Sequence, residues 1–105
     1  MIKVKIENNK TKIISLEVSG HSNYEEKGKD IVCAGVSAIV VGGVNALANE
    51  SKKAIDYECK DGYVRVFVKD IDNDNIQKIL EVITTQLYTI EESYPKFIKI
   101  NVIGG

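Results

Sequence analysis

IVCAGVSAIVVGGVNALAN, residues Ile31 to Asn49, is 19 residues without a charge. That length raises a membrane span. Gly35, Gly42, Gly43, Ser37, Asn45 and several alanines dilute its hydrophobicity. The segments around it read as paired strands, which have no place beside an isolated span. The stretch is therefore expected to be a helix, about Ile31 to Glu50, buried on most sides within a small α/β domain. Its glycines permit a strand or a second helix to approach closely. Asp30 stands just before it and is expected to be the N-cap, its carboxylate accepting from the first unpaired N–H groups.

Upstream, Ile2, Val4 and Ile6 alternate with Lys3, Lys5 and Glu7, the period of a half-buried strand. Asn8-Asn9-Lys10 is turn material, and Ile14, Leu16 and Val18 alternate with Ser15 and Glu17. These make a first hairpin over residues 2–18. A polar loop, Ser19 to Lys29, joins it to the helix. Connections of this length in compact domains are frequently functional.

Downstream, Asp61-Gly62 is a favoured hairpin turn. It pairs Cys59 with Val64 and Tyr57 with Val66 on the core face, and Glu58 with Arg65 as an exposed ion pair. Ile76, Ile79, Leu80, Ile83, Leu87 and Ile90 follow at helical spacing, opened by Asp74 and Gln77 as a capping box and closed by Tyr94-Pro95. Residues 96–103 read as a last strand with Ile98, Ile100 and Val102 on one face. The order ββαββαβ predicts an α+β (α/β layered) fold, one five-stranded mixed sheet with two helices, in a single domain over residues 1–105.

Composition narrows the function. The 105 residues carry 14 Lys plus Arg against 15 Asp plus Glu, a formal net charge of -1. That balance, with Arg65 the one arginine, argues against direct nucleic-acid binding. Two cysteines are too few for a secreted disulfide scaffold. Cys33, Cys59 and His21 do not make a four-ligand zinc site. The opening MIKVKIENNK alternates like a strand and lacks the apolar run of a secretory signal. A cytosolic protein with free thiols, no metal and no membrane contact is expected.

Three side-chain constellations bear on chemistry. Gly20-His21 precedes Asp30-Ile31-Val32-Cys33. With Asp30 at the cap, Cys33 is the third helical residue, near unpaired N–H donors and the positive end of the helix dipole, which favours thiolate. His21 could fold back over the helix start, and a Cys–His pair is the minimum equipment for nucleophilic catalysis at neutral pH. Ser37 lies one turn further on the same face. The plainer alternative is a buried cysteine acting as a small hydrophobe and a solvated histidine. Asp70, Asp72, Asp74 and Glu81 match four ligands of a calcium loop, but Asn75 replaces its glycine and a strand precedes it, so a polar turn capping the second helix is the better account. Cys59 falls on the inward register of its strand and reads as core.

GHSNYEEKGKDIVCAGVSAI, residues 20–39, resembles the signature of the Prp family, ribosomal-processing cysteine proteases. The family pattern is a Gly-His, a polar loop with a glycine, then Gly-x-Asp-(Ile/Val/Leu)-Val-Cys-Ala-(Ala/Gly)-x-Ser. Gly20, His21, Gly28, Asp30, Val32, Cys33, Ala34 and Ser37 fall on it. Ser22 stands where alanine is common after the histidine, and Gly35 where alanine is commoner; neither change removes a reacting group. Chain length and the ββαββαβ order extend the resemblance over nearly the whole chain.

The resemblance implies a dimeric cysteine endopeptidase that removes the N-terminal extension of large-subunit ribosomal protein number twenty-seven. It implies Cys33 as nucleophile and His21 as general base and acid. Asp30, Ser37, Gly20 and Gly28 are implied as supporting residues. The loop residues Ser22, Asn23 and Tyr24 would contact substrate as part of a lid. No cofactor is implied, and the partners are the ribosomal protein precursor peptide and a second copy of the chain. The competing reading is a non-catalytic ribosome-associated module that holds a peptide by strand addition.

Overall fold

The computed structural model describes residues 1–20 and 29–104, with the helix backbone alone at 29 and 30. Its elements are β1 (Ile2–Asn9), β2 (Lys12–Ser19), α1 (Lys29–Ser51), β3 (Ile55–Lys60), β4 (Tyr63–Val68), α2 (Asp74–Ser93) and β5 (Ile98–Gly104), with a short 3-10 turn, Lys52–Ala54, between α1 and β3. This is the expected ββαββαβ order. The five strands form one sheet in the order β3-β4-β2-β1-β5. β5 runs parallel to β1 and the other pairs are antiparallel, so the sheet is mixed and the class α+β. The spatial order of the strands could not be read from the sequence.

Alternation puts Ile2, Val4, Ile6, Leu16, Val18, Val64, Val66 and Val68 on one face, all buried. Both helices cover that face. α1 contributes Val32, Val36, Val40, Val44 and Leu47, and α2 contributes Ile76, Leu80, Ile83 and Leu87. Each such side chain contributes about 1.5–3 kcal/mol relative to leaving it in water. α1 is long and apolar enough to cross a bilayer, yet its valine stripe is spent on this sheet. It is not buried on most sides as expected. Ala34, Ala38, Val41, Gly42, Asn45 and Ala46 face outward, because a helix lying on a sheet with one helical neighbour keeps an open side. The close approach predicted for its glycines occurs at Gly43. A Cβ there would sit 2.5 Å from Ile83 Cδ1 and 2.8 Å from Cγ1, so α2 crosses where α1 has no side chain.

Cross-strand rows explain two departures in the second hairpin. Its register is as expected, Tyr57 opposite Val66, Glu58 opposite Arg65, Cys59 opposite Val64. Cys59 and Tyr57 are nevertheless exposed, not core. One row runs Ile100, Val4, Val18, Val64, Cys59, and the next runs Val102, Ile6, Leu16, Val66, Tyr57. Two helices cover the middle of these rows and leave the ends open, so Tyr57 and Val102 are 49% and 48% exposed. The opposite face carries Lys5, Glu17, Arg65 and Glu58 in one row of alternating charge. Among the described residues, the ion pair that Glu58 makes is with Lys60 Nζ, at 3.1 Å, rather than with Arg65 as expected, because a long side chain two residues away on its own strand reaches the carboxylate.

Four boundaries differ from expectation, the simplest being β5, which starts at Ile98 rather than at residue 96 because Phe97 N–H closes a turn onto the Tyr94 carbonyl. The first turn is Lys10-Thr11 rather than Asn8-Asn9-Lys10, because a bulge at Glu7/Asn8 lets Asn8 pair with Ile13 and Asn9 with Lys12, leaving Lys10 at φ 58°. α1 begins at Lys29, so Asp30 is in its first turn and is not the cap. Acidic residues are favoured at both places, so residue type alone does not separate them. α2 is capped by Asn73, whose Oδ1 accepts from Ile76 N–H at 3.1 Å, rather than by an Asp74–Gln77 box. Gln77 instead clamps β2, donating to the Ile13 carbonyl and accepting its N–H, both at 2.8 Å. The Asp70 carboxylate accepts from Asp72 N–H at 3.2 Å, so Asp70 to Asn73 forms the polar turn that caps α2.

The edges are managed separately. On β5, the outward N–H of Ile100 donates to Glu91 Oε2 at 2.7 Å, which removes a pairing site from that edge. On the solvent face, the Tyr63 hydroxyl donates to Glu17 Oε2 at 2.8 Å. That hydrogen bond, with desolvation and the Glu17 charge adding to it, raises the phenol above its ordinary 10.0.

Two outcomes are expected. Gly43→Ala destabilises the fold by about 1–3 kcal/mol in urea unfolding through overpacking, and adding Ile83→Val, which removes the nearest carbon, recovers part of the loss. Additive losses in the double variant would contradict the close approach. A carbon-13 titration of the tyrosine rings should place the Tyr63 midpoint above that of free tyrosine, and Glu17→Ala should lower it. Because the folded value is the higher one, this bond's contribution to stability is present below the unfolded midpoint and is lost as pH rises through the folded midpoint.

Candidate active site

The C-terminal end of β2, the central strand, and the N-terminal end of α1 meet at one end of the sheet. Ser19 pairs with Lys3 on one side and Tyr63 on the other, so β2 ends between its neighbours. Gly20 then leaves the sheet at φ +87°, a conformation that side-chain-bearing residues rarely adopt. A Cβ on Gly20 would also stand 3.0 Å from the Met1 carbonyl oxygen. Conformation favours glycine at this point, and the space for a side chain is tight.

Both polar groups of Gly20 are engaged. Its N–H donates to the Gly62 carbonyl in the β3–β4 turn at 2.9 Å. Its carbonyl oxygen faces the Cys33 thiol, which donates to it at 4.0 Å. Cys33 is brought there by α1. It is the fifth residue of the helix, beside Val32 and one turn before Val36 and Ser37, and it is 5% exposed. The expected third position is therefore shifted by two. The N–H groups without helical acceptors belong to the turn before it, at Lys29, Asp30 and Ile31. Ile31 is exposed at 66% and Ala34 is exposed, so the helix surface next to the sulfur opens outward while Cys33 itself packs inward.

The structure thus brings Gly20 and Cys33 together across thirteen residues of sequence. Ser37 lies half-buried one turn beyond Cys33 on α1. Asp30 is in the first turn of the same helix. His21, Ser22, Asn23, Tyr24 and Gly28 lie outside the described residues. Cys59 is a free thiol on the edge strand β3 and is exposed, whereas Cys33 is a free thiol in the core. No cluster of three metal-ligating side chains occurs among the described residues.

Sequence reasoning missed the β3–β4 turn at this site. Gly62 entered only as a hairpin residue, and its contact with Gly20 spans two parts of the chain that no local pattern connects. The geometry can hold a nearly buried thiol against the end of a strand, with a helix N-terminus one turn away to receive negative charge.

Comparison with known proteins identifies the family. The sequence profile of cysteine protease Prp matches residues 1–99. The ribosomal processing cysteine protease Prp of Staphylococcus aureus is 38% identical over 96 residues, spanning 90% of this chain and 91% of that protein. A crystal structure of the essential ribosomal processing protease Prp from S. aureus with a substrate peptide superposes with a TM-score of 0.89 at 36% identity, covering 98% of this chain and 100% of the other. A second, of the same protease with a covalently linked product peptide, gives 0.86 at 37% identity and the same coverage. A match over nearly every residue, in sequence and in fold, shows that this chain belongs to the Prp family of cysteine proteases.

Proposed function

We propose that the chain is a cytosolic endopeptidase with Cys33 as nucleophile and His21 as general base and acid. Its substrate is the N-terminal extension of large-subunit ribosomal protein number twenty-seven. The observation that carries this reading is the 4.0 Å contact of the Cys33 sulfur with the Gly20 carbonyl. It sets the thiol against the residue bonded to His21. The S. aureus protease in complex with a substrate peptide, and with a covalently linked product peptide, supports peptide cleavage as the reaction.

The mechanism follows from the groups available. His21 accepts the Cys33 proton, and the sulfur attacks the carbonyl carbon before the scissile bond. The carbonyl π electrons move to oxygen, and the first-turn N–H groups of α1 stabilise that charge. The intermediate collapses, the C–N bond breaks, and His21 returns its proton to the leaving amine. A thioester remains on Cys33. Water, deprotonated by His21, adds to it and releases the carboxylic acid and the thiol. Asp30 and Ser37 support the helix start, Gly20 and Gly28 flank the loop, and Ser22, Asn23 and Tyr24 contact the peptide.

The protease is a homodimer in this reading. The outer surface of α1 and α2 supports it, since Ala38, Gly42, Ala46, Ile79 and Val82 line an apolar groove of about 360 Å³ between the helices. Val82 is 50% exposed there. A surface of this kind is covered in stable assemblies.

Incubation with the precursor from the same genome, followed by intact-mass spectrometry, should give a single cut. Cys33→Ala and His21→Ala each lower its rate by about 10³-fold or more while leaving the circular dichroism spectrum unchanged. Cleavage retained in Cys33→Ala overturns the assignment, and binding of uncut precursor by the wild type favours a peptide-holding module. Sedimentation should show two chains for the wild type and one for Val82→Arg. A wild-type monomer contradicts the dimer.

A further inference from the structure

We propose that the β3–β4 turn is a positioning element for catalysis, acting through the Gly62 carbonyl. This rests on the reading of Cys33 and His21 as the reacting pair. One residue, Gly20, lies between turn and thiol, its N–H and its carbonyl on successive peptide units. The Gly62 carbonyl accepts the Gly20 N–H at 2.9 Å, and the Gly20 carbonyl accepts the Cys33 thiol at 4.0 Å. Gly20 is bonded to His21, so the hydrogen bond that orients Gly20 also sets where the chain departs toward the proposed base.

The arrangement is more than a hairpin closing on itself. β4 pairs with β2 as far as Tyr63 opposite Ser19, and the ladder between these strands ends there. The Gly20–Gly62 bond lies one residue past that point, and it is made by two glycines at positive φ, +87° and +76°. Gly62 presents its carbonyl from a backbone conformation that β-branched residues do not adopt. The Tyr63 hydroxyl bond to Glu17 at 2.8 Å ties the same turn to β2 from the solvent side. The turn is thereby fixed to the strand whose end it steers. Gly20 has the complementary restriction, with the Met1 carbonyl occupying the space a side chain would need.

Gly20, held by the turn through its N–H and facing the sulfur with its carbonyl, ties the nucleophile's surroundings to the turn. A displacement near 1 Å at such a place costs about 10²-fold in rate. Loss of the Gly62 contact is therefore expected to lower kcat by about tenfold or more while KM changes by less than about twofold. Asparagine tolerates the left-handed region and valine does not, so the two substitutions at Gly62 separate the carbonyl's position from the glycine itself.

The experiment combines kinetics on the precursor peptide with amide hydrogen exchange in the wild type, Gly62→Val and Gly62→Asn. Slow exchange of the Gly20 amide is expected in the wild type and in Gly62→Asn, with kcat near normal in both. Gly62→Val should expose that amide and lower kcat, while the β2–β4 ladder stays protected. Normal kcat with an exposed Gly20 amide overturns the proposal. A fall in kcat with the amide still protected does so too, because the effect then travels by another route. If Gly62→Val fails to fold, a semisynthetic chain joined at Val32–Cys33 with glycolate in place of Gly20 removes the N–H donor alone. Undiminished kcat in that chain overturns the proposal. Cleavage surviving in Cys33→Ala is a separate failure, of the protease reading itself.

Discussion

Burial of the valine stripe of α1 against one face of the sheet sets where everything else lies. Val32, Val36, Val40 and Val44 recur every four residues, and with Leu47 they seat the helix on the buried face of the sheet. Each is worth about 1.5–3 kcal/mol, so the stripe outweighs any cap or surface ion pair in fixing the helix axis. Cys33 is carried beside Val32 by that seating and has no independent freedom to move. The helix axis in turn decides where α2 crosses, which is why Gly43 faces Ile83 with no room for a methyl group. It also decides that the start of α1 lies against the end of β2, where Gly20 leaves the sheet.

The strands with local signals were legible in the sequence. The alternation in Ile2 to Ile6 and in Leu16 to Val18 depends on a two-residue period that only a strand satisfies, and the Asp61-Gly62 turn fixes its own register. What could not be read depends on partners distant in sequence. The strand order places β1 beside β5, far apart in the chain. Cys59 and Tyr57 have the inward register expected of them but lie past the reach of two helices. Register is local, whereas coverage depends on how many helices the sheet receives. Gln77 shows the same limit. Its position in the first turn of α2 suggests a cap, and its side chain instead spends both polar groups on Ile13 of β2.

The site divides along the same line. Cys33 near a helix start and the glycine preceding His21 are visible as residue types at a spacing, and the resemblance adds roles to them. The fifth-residue position of Cys33 and the involvement of Gly62 required the fold. One hydrogen bond between turn and strand end, at 2.9 Å, places a loop residue of the second hairpin on Gly20, whose carbonyl faces the Cys33 thiol. Nothing in the local sequence of Lys60 to Tyr63 distinguishes that turn from an ordinary one.

The chain carries two thiols, so covalent catalysis at Cys33 is directly testable against Cys59. Cys59 is exposed and Cys33 is buried, so accessibility alone favours Cys59 as the reacting sulfur. The decisive measurement is acid quenching of the enzyme during turnover of the precursor, followed by mapping of the acylated peptide. A thioester on Cys33, bearing the peptide segment on the N-terminal side of the cut, is expected. A thioester on Cys59, or acyl transfer that persists in Cys33→Ala, would contradict it.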